Sequence, residues 1–170
     1  YVMSDKVWIL GPCVLENTDF FFNCLAEINT IMDGKDWYMK ASFDKANRTS
    51  LHGGRGTGLS YCKDVWKEAK ERYPNVQFTT DVHEVHQVEQ LVEVIDLIQI
   101  PAFLCRQTDL IVECAKLFNK INIKKGQWLG PDNLIKSVDK IRHTNEMCEA
   151  WISDRGSNFG YYDLFVNFGI

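Results

Sequence analysis

Short apolar runs alternate with amphipathic segments along the whole chain, and this alternation restricts the fold more than any other feature. Residues 7–10, 37–41, 76–80, 95–100, 121–124 and 149–153 have the length and apolar content of strands. Between them, apolar residues recur at helical spacing. Phe21, Cys24, Leu25, Ile28, Ile31 and Met32 line one face, with Thr18 as the expected cap and Gly34 as the stop. Leu59, Cys62, Val65, Trp66, Ala69 and Tyr73 line a second face, which Pro74 ends. Val85, Val88, Leu91 and Val92 mark a short helix, and Thr108 is expected to cap another. Pro131 suits the first turn of a last helix, with Leu134, Ile135, Val138 and Ile141 inward.

Strands joined through helices by short connections predict parallel βα units, because a parallel neighbour needs a crossover. Two architectures satisfy that pattern: an open doubly wound sheet and a barrel. Polar residues able to do chemistry follow nearly every strand: Cys13, then Lys40 and Ser42, Asp81 and His83, Gln99, Lys124, and Asp154 with Arg155. A barrel gathers its strand ends at one mouth, whereas an open sheet spreads them along an edge. No GxGxxG follows the first strand, which weakens a dinucleotide fold. The expectation is an incomplete (β/α)8 TIM-type barrel with about six of its eight units, as a single domain over residues 1–170.

Composition removes several functions. The chain of 170 residues carries 19 Lys and Arg against 23 Asp and Glu, a formal charge of −4, which disfavours general nucleic-acid binding. A hydrophobic content of 45% is enough for a packed core and excludes a disordered chain. The most apolar stretch, residues 94–105, is too short for a bilayer and is broken by Asp96, Gln99 and Pro101. No cationic start followed by an apolar block is evident, and the six cysteines form no CxxC pair. Together these features predict a cytoplasmic protein with reduced thiols. His83 and His86 stand three apart without a nearby third ligand, which is weak evidence for zinc.

The densest chemistry lies in Lys40-Ala41-Ser42-Phe43-Asp44-Lys45-Ala46-Asn47-Arg48-Thr49-Ser50. A charge run is usually a solvated face. Here Lys40 sits at a strand end, and Lys124 repeats the arrangement. An ammonium withdrawn from water needs an anion, and Lys and Arg from separate loops make a clamp for phosphate and carboxylate. The residues by themselves therefore predict an enzyme for a small, highly anionic, phosphorylated substrate. Asp81 and His83 suit acid–base work or ligand orientation, with a helix cap at Asp81 as the alternative.

Gly11-Pro12-Cys13-Val14-Leu15-Glu16, the 40–50 segment and Thr80-Asp81-Val82-His83-Glu84 resemble the 3-deoxy-D-manno-octulosonate 8-phosphate synthases. The 99–110 segment, Lys124-Lys125-Gly126-Gln127, Asp154-Arg155-Gly156 and Phe159-Gly160-Tyr161 continue the resemblance in the family's order. It implies a (β/α) barrel and a transferase of lipopolysaccharide carbohydrate biosynthesis that condenses phosphoenolpyruvate with arabinose 5-phosphate. By the same resemblance Lys40, Lys45, Lys124 and Arg155 cage phosphoenolpyruvate, with Gln99 and Ala102 beside it. Asn47, Arg48 and Ser50 contact the phosphosugar. Arg106 reaches the sugar phosphate of a neighbouring subunit, which implies a homo-oligomer, a tetramer. Lys40, Lys45, Asp81 and His83 stand near the reacting centre.

Cys13 places the chain, by resemblance, in the metal-dependent class, whose other ligands to a divalent ion are His, Glu and Asp on later strands expected beyond Ile170. Thr57 stands where the family usually has proline, which predicts a looser loop. A C-terminally shortened chain leaves two alternatives: a non-catalytic remnant that only binds anions or oligomerises, and a related phosphoenolpyruvate-using sugar-acid synthase with another aldehyde.

Overall fold

The computed structural model describes residues 6–158 and 165–168. The elements are β1 (Trp8–Val14), α1 (Thr18–Ile31), β2 (Trp37–Ser42), α2 (Leu59–Arg72), β3 (Gln77–Asp81), α3 (Val85–Leu91), β4 (Leu97–Ile100), α4 (Thr108–Leu117), β5 (Lys120–Lys124), α5 (Pro131–Thr144) and β6 (Glu149–Ser153). A 3₁₀ turn at Ala102–Leu104, which the sequence does not announce, follows β4. The chain divides into two compact units. The first holds Tyr1–Thr80 with Glu93–Asp96, and the second holds Asp81–Val92 with Leu97–Ile170.

In the first unit β1 pairs with β2, and β2 with β3, all parallel. In the second, β4 pairs with β5, and β5 with β6, again parallel. Each unit is a run of βα units whose strands neighbour one another in chain order. The fold class is α/β, parallel strands alternating with helices, the pattern of an incomplete TIM-type barrel. Among the described residues no helix is long and apolar enough to cross a membrane.

Burial on both faces explains why β2 and β4 read as near-continuous apolar runs. All four residues of β4 are buried. The first unit's core holds Met39, Phe78, Phe21, Leu25 and Trp66, all inaccessible to solvent. The second unit's core holds Ile98, Ile100, Ile121, Ile123, Ile111 and Ile141. Each such side chain contributes roughly 1.5–3 kcal/mol by leaving water.

Several local expectations are corrected. Asn17, not Thr18, caps α1: its Oδ1 accepts from the Phe20 amide at 2.8 Å. Thr18 instead shares a 2.6 Å hydrogen bond with the Tyr61 hydroxyl. Gln107, not Thr108, precedes α4, and the Thr108 hydroxyl accepts from Lys140 Nζ at 2.7 Å. Ile31 ends its helix and is exposed, while Phe22 takes an inward place. Ile135 is half-exposed because Ser137 occupies the buried side of α5, where its hydroxyl donates to the Cys105 carbonyl at 2.6 Å.

The end of β1 is irregular in a way that shapes the site. Leu10 pairs with Met39 and Cys13 with Ala41, so Gly11 and Pro12 together face Lys40 alone. This is a β-bulge, a position where a strand tolerates proline and re-aims the next side chain. Gly11 has φ 152°, and a Cβ there would lie 2.0 Å from the Lys40 carbonyl oxygen. Cys13 follows with φ 70°, the one non-glycine residue of positive φ among those described. Gly11→Ala is expected to destabilise the protein by at least about 2 kcal/mol, read from the midpoint of denaturant unfolding. An unchanged midpoint would remove the steric account of the bulge.

Candidate active site

In the first unit the chemistry gathers at the end of β2. Lys40 and Ser42 share a face of the strand, as residues two apart do. Ser42 is fully buried, and its Oγ accepts from Lys40 Nζ at 3.2 Å and from Lys45 Nζ at 2.8 Å. Two ammonium groups therefore converge on one neutral oxygen. Beyond them the loop forms an open cleft of about 460 Å³ lined by Lys45, Asn47, Arg48, Ser50 and the backbone of Gly53 and Gly54. Four of the predicted residues thus meet in one polar hollow.

The loop is closed at its neck. Arg55 Nε donates to Asp44 Oδ1 at 2.6 Å, and a second guanidinium nitrogen binds Oδ2. This fork raises the Arg55 pKa, the hydrogen bond first and the charge of Asp44 second. The Lys45 amide donates to the Arg55 carbonyl at 2.6 Å, and the Gly58 amide to the Phe43 carbonyl at 3.0 Å. Gly56, at φ 118°, lies so close to the Phe43 carbonyl that a Cβ would stand 2.5 Å from its oxygen. Arg48 Nε braces the far side on the Gly54 carbonyl at 2.9 Å. The Thr57 hydroxyl donates to the Leu15 carbonyl at 3.0 Å, so the residue expected to loosen the loop fastens it instead.

In the second unit Asp81 ends β3, and its Oδ2 lies 3.2 Å from His83 Nε2, both side chains about nine-tenths buried. The capping alternative for Asp81 falls, because Glu84 caps α3 in a reciprocal box with Gln87. Gln99 is buried in β4 and pairs in register with Asn122 of β5. Asn122 Nδ2 donates to Gln99 Oε1 at 3.3 Å, and Ser153 Oγ of β6 donates to Asn122 Oδ1 at 2.9 Å. Lys124 lies two residues beyond Asn122 on the same face of β5 and pairs in register with Ser153. Ala102 is buried in the 3₁₀ turn after β4.

Two predicted residues stand apart from these groups. Arg106 is exposed and lines a different cleft with Trp128, Lys136 and Lys140. Arg155 is exposed beside the ion pair of Lys125 and Asp154. Sequence reasoning missed Lys125, whose ammonium is 95% withdrawn from solvent and is held by Asp154 at 3.1 Å and the Gly156 carbonyl at 2.7 Å. Desolvation lifts the Asp154 carboxyl, but Lys125 and the amides of Gly156 and Arg155 prevail and hold it below its ordinary value. The missed signal was the second lysine of a Lys-Lys-Gly run, which leaves the strand just where a turn can receive it. Phe159-Gly160-Tyr161 lie outside the described residues.

Cys13 is exposed at the bulge. Among the described residues no three His, Cys, Asp or Glu side chains come together. The described donor set does not by itself fit a divalent ion.

Parallel strands alternating with helices, with lysines and buried amides at the strand ends, define a protein of the α/β class. The chain belongs to the DAHP synthetase I family, which it matches over residues 4–165. It is 43% identical over 173 residues to the 2-dehydro-3-deoxyphosphooctonate aldolase of Wolinella succinogenes, covering 95% of this chain and 65% of that protein. The proteins of the same name from Campylobacter jejuni strain RM1221 and Helicobacter hepaticus are 41% and 42% identical, over 97% and 92% of this chain. The chain spans 65% and 62% of their lengths. The resemblance read from the motifs is thereby borne out.

The thiols give a direct check on placement. Burial pushes Cys62 up to about 11, with the Thr57 hydrogen bond opposing, and pushes Cys114 up to about 12, with help from Glu113 and Cys148. A thiol alkylating agent at pH 8 is expected to label Cys13 while Cys62 and Cys114 stay intact in the folded protein, read by mass spectrometry. Equal labelling of all three would contradict the burial of Cys62 and Cys114.

Proposed function

We propose that the chain carries the activity its motif resemblance implies, consistent with its relatives' name: condensation of phosphoenolpyruvate with arabinose 5-phosphate to 3-deoxy-D-manno-octulosonate 8-phosphate and inorganic phosphate. The enol carbon attacks the sugar aldehyde and water adds to the neighbouring carbon. The enol C–O bond to phosphate then breaks. Each reactant is an anion, so the protein's work is to hold like charges together and to stabilise the charge that shifts between them.

The observation that carries the reading is the convergence of Lys40 and Lys45 on Ser42, with Lys45 also lining a cleft beside Asn47, Arg48 and Ser50. Charge-assisted N–H donors of this kind bind phosphate and carboxylate oxygens strongly. Lys40 and Lys45 are assigned to phosphoenolpyruvate, with Lys124, Arg155, Gln99 and Ala102 of the second unit. Asn47, Arg48 and Ser50 are assigned to the phosphosugar. The buried pair of Asp81 and His83 is assigned to proton handling near the reacting carbons. Arg106, exposed in its own cleft, suits the phosphosugar of a neighbouring subunit, so a homo-oligomer in the cytoplasm belongs to the proposal. Cys13 is proposed as one ligand of a divalent ion whose other ligands the described residues do not supply.

Phosphate release from phosphoenolpyruvate that requires arabinose 5-phosphate is the test. Release with that dependence supports the proposal, and binding of phosphoenolpyruvate without turnover overturns catalysis in favour of an anion-binding role. Lys124→Ala and Arg155→Ala are each expected to weaken phosphoenolpyruvate binding by roughly ten- to a hundredfold, the loss of a charged hydrogen-bond partner. Calorimetric affinities unchanged in both variants would refute the assignment.

A further inference from the structure

We infer that Ser137 and Lys140 of α5 are positioning residues that fix the backbone of Cys105 and Arg106, and so fix where Arg106 offers its guanidinium to a phosphate. The inference rests on the proposed contact of Arg106 with the phosphosugar and adds the means by which that arginine is held.

Arg106 stands on the connection between two helical elements, the 3₁₀ turn at Ala102–Leu104 and α4 from Thr108. The Leu104 carbonyl accepts from the Gln107 amide at 2.9 Å, and the Gln107 carbonyl accepts from the Ile111 amide at 3.0 Å. The carbonyls of Cys105 and Arg106 fall between those two bonds, and α5 supplies their donors. The hydroxyl of the buried Ser137 donates to the Cys105 carbonyl at 2.6 Å. Lys140 Nζ donates to the Arg106 carbonyl at 3.2 Å and to the Thr108 hydroxyl at 2.7 Å. The sense of the bonds to both carbonyls is fixed, because a carbonyl only accepts and an ammonium only donates. Ser137 and Lys140 are three residues apart, so one face of α5 meets the whole connection. Arg106 itself is exposed and lines a cleft of about 350 Å³ with Trp128, Asn133, Lys136 and Lys140. A long side chain magnifies any turn of its own backbone, so an arginine on an unheld connection spreads its charge over many positions. Fixed by α5, it has less freedom left to lose when an anion binds.

Hydrogen exchange and calorimetry test this in the 170-residue chain. Lys140→Met keeps the stem and removes the ammonium, and Ser137→Ala removes the other donor without changing charge. In each variant, without ligand, the peptide holding the Gln107 amide is expected to exchange severalfold faster than in the unaltered chain, while exchange across β5 stays the same. Affinity for arabinose 5-phosphate is expected to fall roughly three- to tenfold in each, and Lys140→Met is expected to add nothing once Arg106→Ala is present. Exchange unchanged in both variants would overturn the inference. So would a loss in Lys140→Met that adds in full to that of Arg106→Ala, because the ammonium would then act on the phosphate itself. Failure of the unaltered chain to bind arabinose 5-phosphate would instead refute the proposed function, while exchange would still decide how the Arg106 backbone is held.

Discussion

Two ammonium groups on one serine oxygen are the constraint around which the first unit is arranged. Lys40 and Lys45 Nζ lie 3.2 and 2.8 Å from Ser42 Oγ, so the charges are at most about 6 Å apart. At that separation like charges repel by roughly 0.7 kcal/mol in water and roughly 3 kcal/mol at an effective dielectric of about 20. Such an arrangement must be held by the surrounding chain. Lys40 is held by its place in β2, where the bulge at Gly11 and Pro12 brings β1 against its carbonyl. Lys45 is held by the loop neck, through its own amide on Arg55 and through the Arg55–Asp44 fork beside it. Backbone geometry therefore brings both ammonium groups to one oxygen.

The second unit meets a different difficulty. Buried amides in the middle of strands cost free energy unless their groups are satisfied. Asn122 and Gln99 satisfy one another across adjacent strands, and Ser153 completes the series from β6. The parallel register makes this economical, because it sets Gln99 directly beside Asn122 and Lys124 directly beside Ser153. Lys125 turns to the other side of the strand end and is neutralised within the protein by Asp154 and the Gly156 carbonyl. Adjacent lysines thus divide the work: Lys125 fastens the turn after β6, and Lys124 shares its face with the amide series.

Strand and helix positions were legible because period and punctuation report burial directly. Glu149–Ser153, the weakest pattern, is a strand with the bounds read from it. Caps were less legible. Asn17 and Thr18 can both accept an amide, and only the tertiary bond from Thr18 to Tyr61 decides between them. The cationic residues of the 40–50 segment were visible as a dense run, but their convergence on Ser42 was not. A serine beside two lysines has no signature until a strand places all three. Asn122 escaped notice for a related reason: an asparagine between two isoleucines reads as an imperfection in a strand, and its meaning depends on Gln99 being its neighbour in register. Lys125 was read as part of a motif, without the burial that makes it an anchor. Periodicity reveals what faces the core; it does not reveal which polar groups face one another.

The charge balance sharpens what the arrangement can do. A chain with net charge −4 has no long-range field to draw a multiply negative reactant. On the proposed function, affinity for such a molecule would come from short-range donors that are already in place. That is the situation in which preorganisation matters most, because every donor that had to be ordered on binding would subtract from a modest total. The features that look costly in isolation share this arrangement: the bulge at Gly11 and the forked neck of the loop. Each fixes the direction of a donor before a ligand arrives. On the proposed function, anion capture by an acidic chain would follow from where a few N–H groups point, and the strand ends are where the backbone sets their direction.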